Sequence, residues 1–193
     1  MTKNRLEAFS DGVLAIVITI MVLEMKAPHE ASWESLIHLL PVLGSYIISF
    51  LMIAIYWGNH HHLMHTISHV NSGILWANTH LLFWLSLIPF ATAWMGENNF
   101  AQNTIVVYAL LLNLCGLAYF ILLTVMKNCN AGNRKLLDLL KHQMRKGMIS
   151  LIAYTTAIGV AFVSPLIAGI IIVVVGIIWL VPDRNIERSI KEN

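Results

Sequence analysis

The chain has 193 residues, of which 58% are hydrophobic and only 11% are charged. Soluble domains carry about 25% charged residues, so this composition excludes an ordinary water-soluble globule and favours a membrane protein. The formal net charge of +2 is too small to indicate a nucleic-acid partner, and we expect none.

Six apolar stretches are long enough to cross a bilayer as helices, which takes about 17–25 residues each. They are predicted at 5–25, 39–62, 73–95, 103–126, 148–164 and 166–182. Ser32 is the predicted N-cap of the stretch that leads into the second span. The last two spans are separated at Ser164-Pro165, because proline interrupts a helix that would otherwise be much longer than a bilayer requires. The chain is therefore predicted to be one all-α membrane domain, 1–193, with six transmembrane helices.

The basic residues indicate the orientation. In a six-span arrangement, all twelve Lys and Arg residues except Lys26 fall on the side that holds both termini. Because cytoplasmic loops are enriched in Lys and Arg, we expect both termini in the cytoplasm and the chain in the cell (inner) membrane. A basic connector at 127–147 links the fourth and fifth spans on that side. Its later part, LLDLLKHQMRK, has helical periodicity and is expected to lie along the membrane surface; a solvated loop is the alternative.

Arg5 and Asp11 are ionisable and stand at or inside the cytoplasmic half of the first span. Ionisable groups in a membrane are costly and seldom face lipid. Six residues apart, these two lie about 120° apart around the helix, so at least one is expected to find its partner on another helix.

Further along the same span, four residues recur at helical spacing and share one stripe: Ile16, Thr19, Ile20 and Leu23. Periodicity alone leaves plain packing open as the explanation. A ring of branched apolar side chains can also gate a pore by excluding water. The hydroxyl of Thr19 adds an oxygen that can replace part of the hydration shell of an ion.

A motif in this helix resembles the signature of a known family, transmembrane protein 175, the lysosomal-type potassium channels, in its single-repeat prokaryotic branch. The matching elements are an arginine before Phe-Ser-Asp, a Trp-x-x-x-His in the second span, and an asparagine and a proline in the third. The residues are Arg5, Phe9, Ser10, Asp11, Trp57, His61, Asn78 and Pro89. Ile88-Pro89 departs from the family's usual Leu-Pro-type ending.

The resemblance implies a homotetramer in the lipid bilayer, with a pore lined by the first helix of each subunit. Such channels lack the re-entrant pore loop and TVGYG filter of ordinary potassium channels, and no such filter occurs here. By the family's pattern, Ile16, Ile20 and Leu23 form the pore constriction, and Thr19 contributes to selectivity.

The resemblance also implies a network between helices. In it, Arg5 is held by a tryptophan, a histidine and an asparagine, which are here Trp57, His61 and Asn78. Phe9, Ser10 and Asp11 then serve in packing and polar anchoring of the pore helix.

We therefore expect a potassium-favouring cation channel that mediates passive flux. K+ is the expected permeant ion, permeation by other monovalent cations stays open, and no cofactor is expected. The alternatives are a secondary transporter, in which Asp11 and the histidines relay protons, and a proton-permeable channel. No phosphate-binding loop, nucleophile elbow or paired-carboxylate arrangement is present in the sequence, so no enzyme activity is expected.

Five histidines cluster near the end of the second span: His60, His61, His62, His65 and His69. Histidine is a common metal ligand, but no carboxylate or cysteine accompanies these residues in the sequence, and we predict no metal site. A metal site, a pH-sensitive surface and plain interface residues all remain as interpretations of this cluster.

Overall fold

The structure is a computed structural model that describes residues 2–67, 69–129 and 134–180, with the backbone alone at 134–136, 138 and 139. These ranges are almost entirely helical, which confirms the all-α fold class. The helices are α1 (Lys3–Leu23), α2 (Trp33–Ile37), α3 (Leu40–His65), α4 (Ser72–Leu85), α5 (Ile88–Glu97), α6 (Gln102–Cys129), α7 (Arg134–Ala161) and α8 (Pro165–Leu180).

Prolines open three of these helices. Pro41 and Pro89 are the second residues of α3 and α5, and Pro165 is the first residue of α8. Proline has no N–H to donate and clashes with the carbonyl four residues earlier, so each helix before it ends. The stretch predicted as one span at 73–95 is consequently two helices, α4 and α5, which meet at a turn over 86–87.

Four helical stretches are long and apolar enough to cross a membrane by length and composition: Lys3–Leu23, Trp33–His65, Ser72–Glu97 and Gln102–Cys129. The second of these combines α2 with α3, and the third combines α4 with α5. Within α2, the Ser32 side chain accepts a hydrogen bond from the Ser35 N–H at 3.2 Å, as an N-cap does. Helix α8 is apolar but has only 16 residues, so the six-span count stays a prediction.

The basic connector differs from its prediction. Helix α6 continues to Cys129, and α7 runs without a break from Arg134 to Ala161, so the residues expected to form a separate surface helix instead extend the fifth helix. No glycine or proline occurs between 134 and 146, and each added residue of a helix gains a hydrogen bond. The extension packs on α6, where the Tyr119 hydroxyl donates to Gln143 Oε1 at 2.7 Å. Residues 130–133 lie outside the described residues.

Helix α6 forms the centre of the bundle. Tyr108, Leu112, Cys115 and Leu122 on this helix are fully buried, and it packs mainly against α4, α5 and α7. Helix α1 packs mainly against α3, α4 and α5 instead. It therefore keeps one side that none of the other helices in the described part of the chain covers.

A buried hydroxyl cluster joins α3, α5 and α6. The Thr92 Oγ1 atom lies 2.6 Å from Ser49 Oγ, and Ser49 Oγ lies 2.8 Å from the Tyr108 hydroxyl. Hydrogen bonds between hydroxyls satisfy groups that an apolar interior would otherwise leave unpaired. This cluster fixes α3 and α5, two of the three helices that support α1, to the central helix.

Candidate ion pathway and its polar support

Helix α1 has two contrasting faces. Leu6, Ser10, Leu14, Val17 and Met21 are buried against the rest of the chain. The four residues of the predicted stripe lie on another side and are all exposed, with Ile16 at 58%, Ile20 at 39% and Leu23 at 78% of their full accessible surface, and Thr19 also exposed. An exposed, branched apolar face of this kind requires lipid or another protein chain to cover it.

Thr19 is the polar member of the stripe. Its Oγ1 donates to the Ile16 carbonyl at 2.9 Å, a bond within the helix that uses the hydroxyl proton. A hydroxyl oxygen also has two lone pairs, and donation of the proton to the Ile16 carbonyl uses neither of them. The bond therefore leaves an oxygen on the exposed face that can accept a cation or a water molecule.

A buried chain of hydrogen bonds connects α1, α4 and α3. Asn78 Nδ2 donates to Ser10 Oγ at 2.9 Å, and Ser10 Oγ donates to the Leu6 carbonyl at 2.8 Å. On its other side, Asn78 Oδ1 lies 2.6 Å from His60 Nε2. Because an amide oxygen only accepts hydrogen bonds, His60 must carry a proton on Nε2. All three polar side chains are buried, so this chain fixes the position of α1 against α3 and α4.

A second set of contacts joins α1 to α3. Trp57 Nε1 donates to Asp11 Oδ1 at 3.0 Å, and His61 Nδ1 lies 2.9 Å from Glu7 Oε1. His65 Nε2 approaches the same Glu7 oxygen at 3.6 Å. The ring of Trp57 stacks on that of His61, with centroids 5.9 Å apart. The two acidic side chains of α1 are thereby given donors, which reduces the cost of placing carboxylates beside apolar surface.

The predicted partners of Arg5 take other partners within the described residues. Trp57 binds Asp11, His61 contacts Glu7, and Asn78 uses its side-chain amide on Ser10 and His60. Arg5 is exposed because it lies on the same side of α1 as Leu23, away from α3 and α4. Phe9 is also exposed, at 55%, so the described residues bury neither side chain.

Sequence reasoning missed Glu7 and His60 as members of these contacts. A signal was present in the spacing: Glu7 and Asp11 are four residues apart on α1, and Trp57 and His61 are four residues apart on α3. Residues four apart share a helix face, and two antiparallel helices bring such pairs together in reverse order. The position of His60 against Asn78 depends on the rotation of α3, which no spacing in the sequence specifies.

Comparisons with known proteins agree with this architecture. Residues 5–89 match the family model described as endosomal/lysosomal potassium channel TMEM175. A relative from Chryseobacterium sp. (strain P1-3), named a potassium channel, is 52% identical over 193 residues, which is 100% of both chains. A relative from Streptomyces collinus with the same name is 33% identical over 125 residues, 61% of each chain.

A solved structure has the same fold. It is titled the crystal structure of a lysosomal potassium-selective channel TMEM175 homolog from Chamaesiphon minutus, and it matches with a TM-score of 0.82 at 26% identity, over 92% of this chain and 96% of that one. Together with the apolar helices, this likeness identifies a multi-pass membrane protein. The chain belongs to the TMEM175 family of potassium channels.

Proposed function

We propose that the chain forms a potassium-favouring cation channel, a homotetramer in which α1 of each subunit lines the pore. The observation that carries this proposal is the stripe of Ile16, Thr19, Ile20 and Leu23, which is exposed among the residues that the structure describes. A relative that matches over the full length of both chains and is named a potassium channel supports potassium as the ion and a channel as the mode of transport.

One subunit does not enclose a pathway by itself, because the stripe occupies one side of a single helix. Copies related by rotation about a common axis form closed rings through head-to-tail contacts. Four such copies would place the four stripes around the axis and cover the exposed apolar face of each α1. The tetramer would therefore turn this face towards the common axis and away from lipid.

The apolar residues of the stripe would act as the gate. A narrow constriction lined by branched aliphatic side chains expels water, and an ion then meets a barrier because it loses hydration. Rings of Ile16, Ile20 and Leu23 would form successive constrictions, separated by about 6.0 Å and about 4.5 Å along the helix axis. Opening requires α1 to rotate or move outward, so the contacts that join α1 to α3 and α4 become part of the gating mechanism.

Thr19 would provide selectivity. Four hydroxyl oxygens at one level of the pore can replace part of the hydration shell of a cation without adding charge. K+ is larger and releases its water more readily than Na+, so a ring of neutral oxygens lowers the barrier more for K+. This accounts for a preference for potassium and not for strict exclusion of sodium.

Arg5 would be held between subunits. It is exposed within one chain, and the side chains of Trp57 and His61 are themselves partly exposed at 47% and 39%, so a neighbouring subunit can reach them. Asn78 is fully buried, and both polar atoms of its side chain are in use. The predicted network for Arg5 is therefore proposed with Trp57 and His61, while Asn78 supports it from within the subunit.

We further propose an inner-membrane location with six spans and both termini cytoplasmic. The charge asymmetry of the sequence supports this orientation, since Lys26 is the one basic residue predicted outside. The two ends of the bundle differ accordingly: Glu7 meets the end of α3 on the cytoplasmic side, and Leu23 lies towards the outside.

Purified protein in liposomes tests the proposal directly. A reversal potential measured between potassium and sodium solutions should lie towards the potassium equilibrium potential, and flux should not saturate with driving force. Saturable flux coupled to a proton gradient would instead support the transporter.

The substitution Ile16→Asn should raise the conductance, because a polar side chain hydrates the constriction. Ile170→Asn on α8 is the matched control, since Ile170 is similarly exposed at 53% but lies outside the proposed pore. Equal currents in the wild type and the Ile16→Asn variant would refute the proposed pore face.

A further inference from the structure

We propose that Glu7, His61 and His65 form a binding site for a divalent transition-metal ion, with Zn2+ as the ion that best fits the donors. The three residues each present one ligand atom, and these atoms all lie within 4.8 Å of one another. The site joins α1 to α3 at the end of the bundle that carries the N-terminus, and it is separate from the apolar stripe.

The distances fit a small metal ion. Glu7 Oε1 lies 2.9 Å from His61 Nδ1 and 3.6 Å from His65 Nε2. Ligand atoms around a tetrahedral Zn2+ ion, bound at ~2.0–2.1 Å, are separated by about 3.3 Å. The two separations from Glu7 lie on either side of that value, and the ligand atoms of His61 and His65 lie within 4.8 Å of each other, so rotations of the side chains that bring the two imidazoles towards about 3.3 Å would accommodate the ion.

The backbone holds the ligands in a suitable arrangement. His61 and His65 are four residues apart on α3, and two histidines at this spacing share one helix face, as in helical zinc sites. The aromatic ring of Trp57 stacks on His61, and Trp57 is itself fixed by its hydrogen bond to Asp11. Such outer contacts orient a ligating imidazole.

The donor set selects the class of metal. Two imidazole nitrogens and one carboxylate suit Zn2+ and similar first-row ions, whereas Mg2+ and Ca2+ prefer sites made of oxygen ligands. Three protein ligands leave a fourth position for water, as in open zinc sites rather than closed structural ones. The side chain of His65 is 49% exposed and that of Glu7 only 15%, so an ion would enter from the His65 side.

A bound ion would restrain the movement of α1 relative to α3. Glu7 is nine residues before Ile16 on the same helix, about 13.5 Å along its axis. If α1 lines the pore, as proposed above, Zn2+ would hold the pore helix in one position and lower the potassium flux. This consequence rests on the proposed function, but binding of the metal does not.

Isothermal titration calorimetry of the purified full-length protein with Zn2+ tests the binding. We expect one Zn2+ per chain, and we expect Glu7→Gln and His65→Ala each to weaken binding by at least tenfold, since even loss of an outer partner costs about 10–100-fold. Gln retains the shape and the hydrogen-bonding oxygen of Glu7, so this variant separates metal ligation from folding. His69→Ala is the control, because His69 is exposed and follows α3 closely in the sequence but does not belong to the group of Glu7, His61 and His65.

Three results would overturn the site: no Zn2+ binding, wild-type affinity in both ligand variants, or an equal loss in His69→Ala. The liposome potassium flux is then measured with and without Zn2+. Inhibition in the wild type and its absence in Glu7→Gln support the restraint of α1. Binding without any effect on flux leaves the site in place and refutes the restraint, while absence of potassium flux in the untreated protein refutes the proposed channel instead.

Discussion

Replacement of Asn78 by alanine tests the buried chain of hydrogen bonds that fixes α1. Asn78 is completely buried and donates to Ser10 while accepting from His60. Hydrogen bonds between membrane helices are worth about 0.6–1.7 kcal/mol each. The substitution removes two of them and leaves the His60 Nε2–H without its acceptor, at a cost of about 1–3 kcal/mol for a buried group. The lost Ser10 bond at about 0.6–1.7 kcal/mol and the unpaired His60 N–H at about 1–3 kcal/mol, which already includes its lost bond, together predict that Asn78→Ala lowers the free energy of unfolding by about 2–5 kcal/mol.

Unfolding in mixed micelles of a mild detergent and SDS measures this change. Asn113→Ala is a matched control, since Asn113 is only partly buried and donates to Thr155 Oγ1 at 2.8 Å, and we expect a loss below about 1 kcal/mol there. A double-mutant cycle with Ser10→Ala should give a coupling energy of about 0.5–1.5 kcal/mol. If Asn78→Ala is no more destabilising than Asn113→Ala, the buried hydrogen bonds of Asn78 do not stabilise the packing of α1 as proposed.

Two further substitutions test the packing and the selectivity. A Cβ atom at Gly96 would lie 2.7 Å from the Val42 Cα atom, and backbone cannot move aside as a side chain can, so Gly96→Ala should destabilise the fold by about 1–3 kcal/mol. Gly159→Ala is the control, because nothing lies within 4 Å of a Cβ atom there, and it should leave the stability unchanged. Similar thermal denaturation of the two variants would contradict this prediction. Thr19→Ala should bring the potassium-to-sodium permeability ratio closer to one, measured from reversal potentials. Its control is Thr156→Ala on α7, where the hydroxyl makes a similar bond to its own helix, and an unchanged ratio in the Thr19 variant would count against the hydroxyl ring.

Much of the fold could be predicted from the sequence because long apolar stretches specify membrane helices directly. The prediction at 5–25 differs from α1 by only two residues at each end. The turn within the third stretch was missed, although Pro89 marks it, because a proline near the middle of a membrane helix is compatible with either a kink or a break. The connector was missed because helical periodicity does not tell whether a stretch is separate from the helix that follows.

The candidate site was predictable in part. The stripe on α1 follows from residue spacing, and its exposed position agrees with that pattern. The partners of Trp57 and His61 could not be selected from the sequence, because Arg5, Glu7 and Asp11 are all ionisable and lie within two turns of one helix. The rotation of α1 decides among them: it directs Glu7 and Asp11 towards α3 and leaves Arg5 exposed.

The accessibility of the stripe to silver ions tests most directly whether α1 lines the pore. Cysteine is introduced at Leu23 in a Cys129→Ser background, which removes the exposed native thiol and retains the buried Cys115, and potassium currents are recorded before and after Ag+ is added. If α1 lines the pore, Leu23→Cys channels are blocked irreversibly, while channels with Ile170→Cys on the outside of α8 keep their current. Currents that respond equally in the two variants, or that persist with Leu23→Cys, would contradict a pore lined by α1.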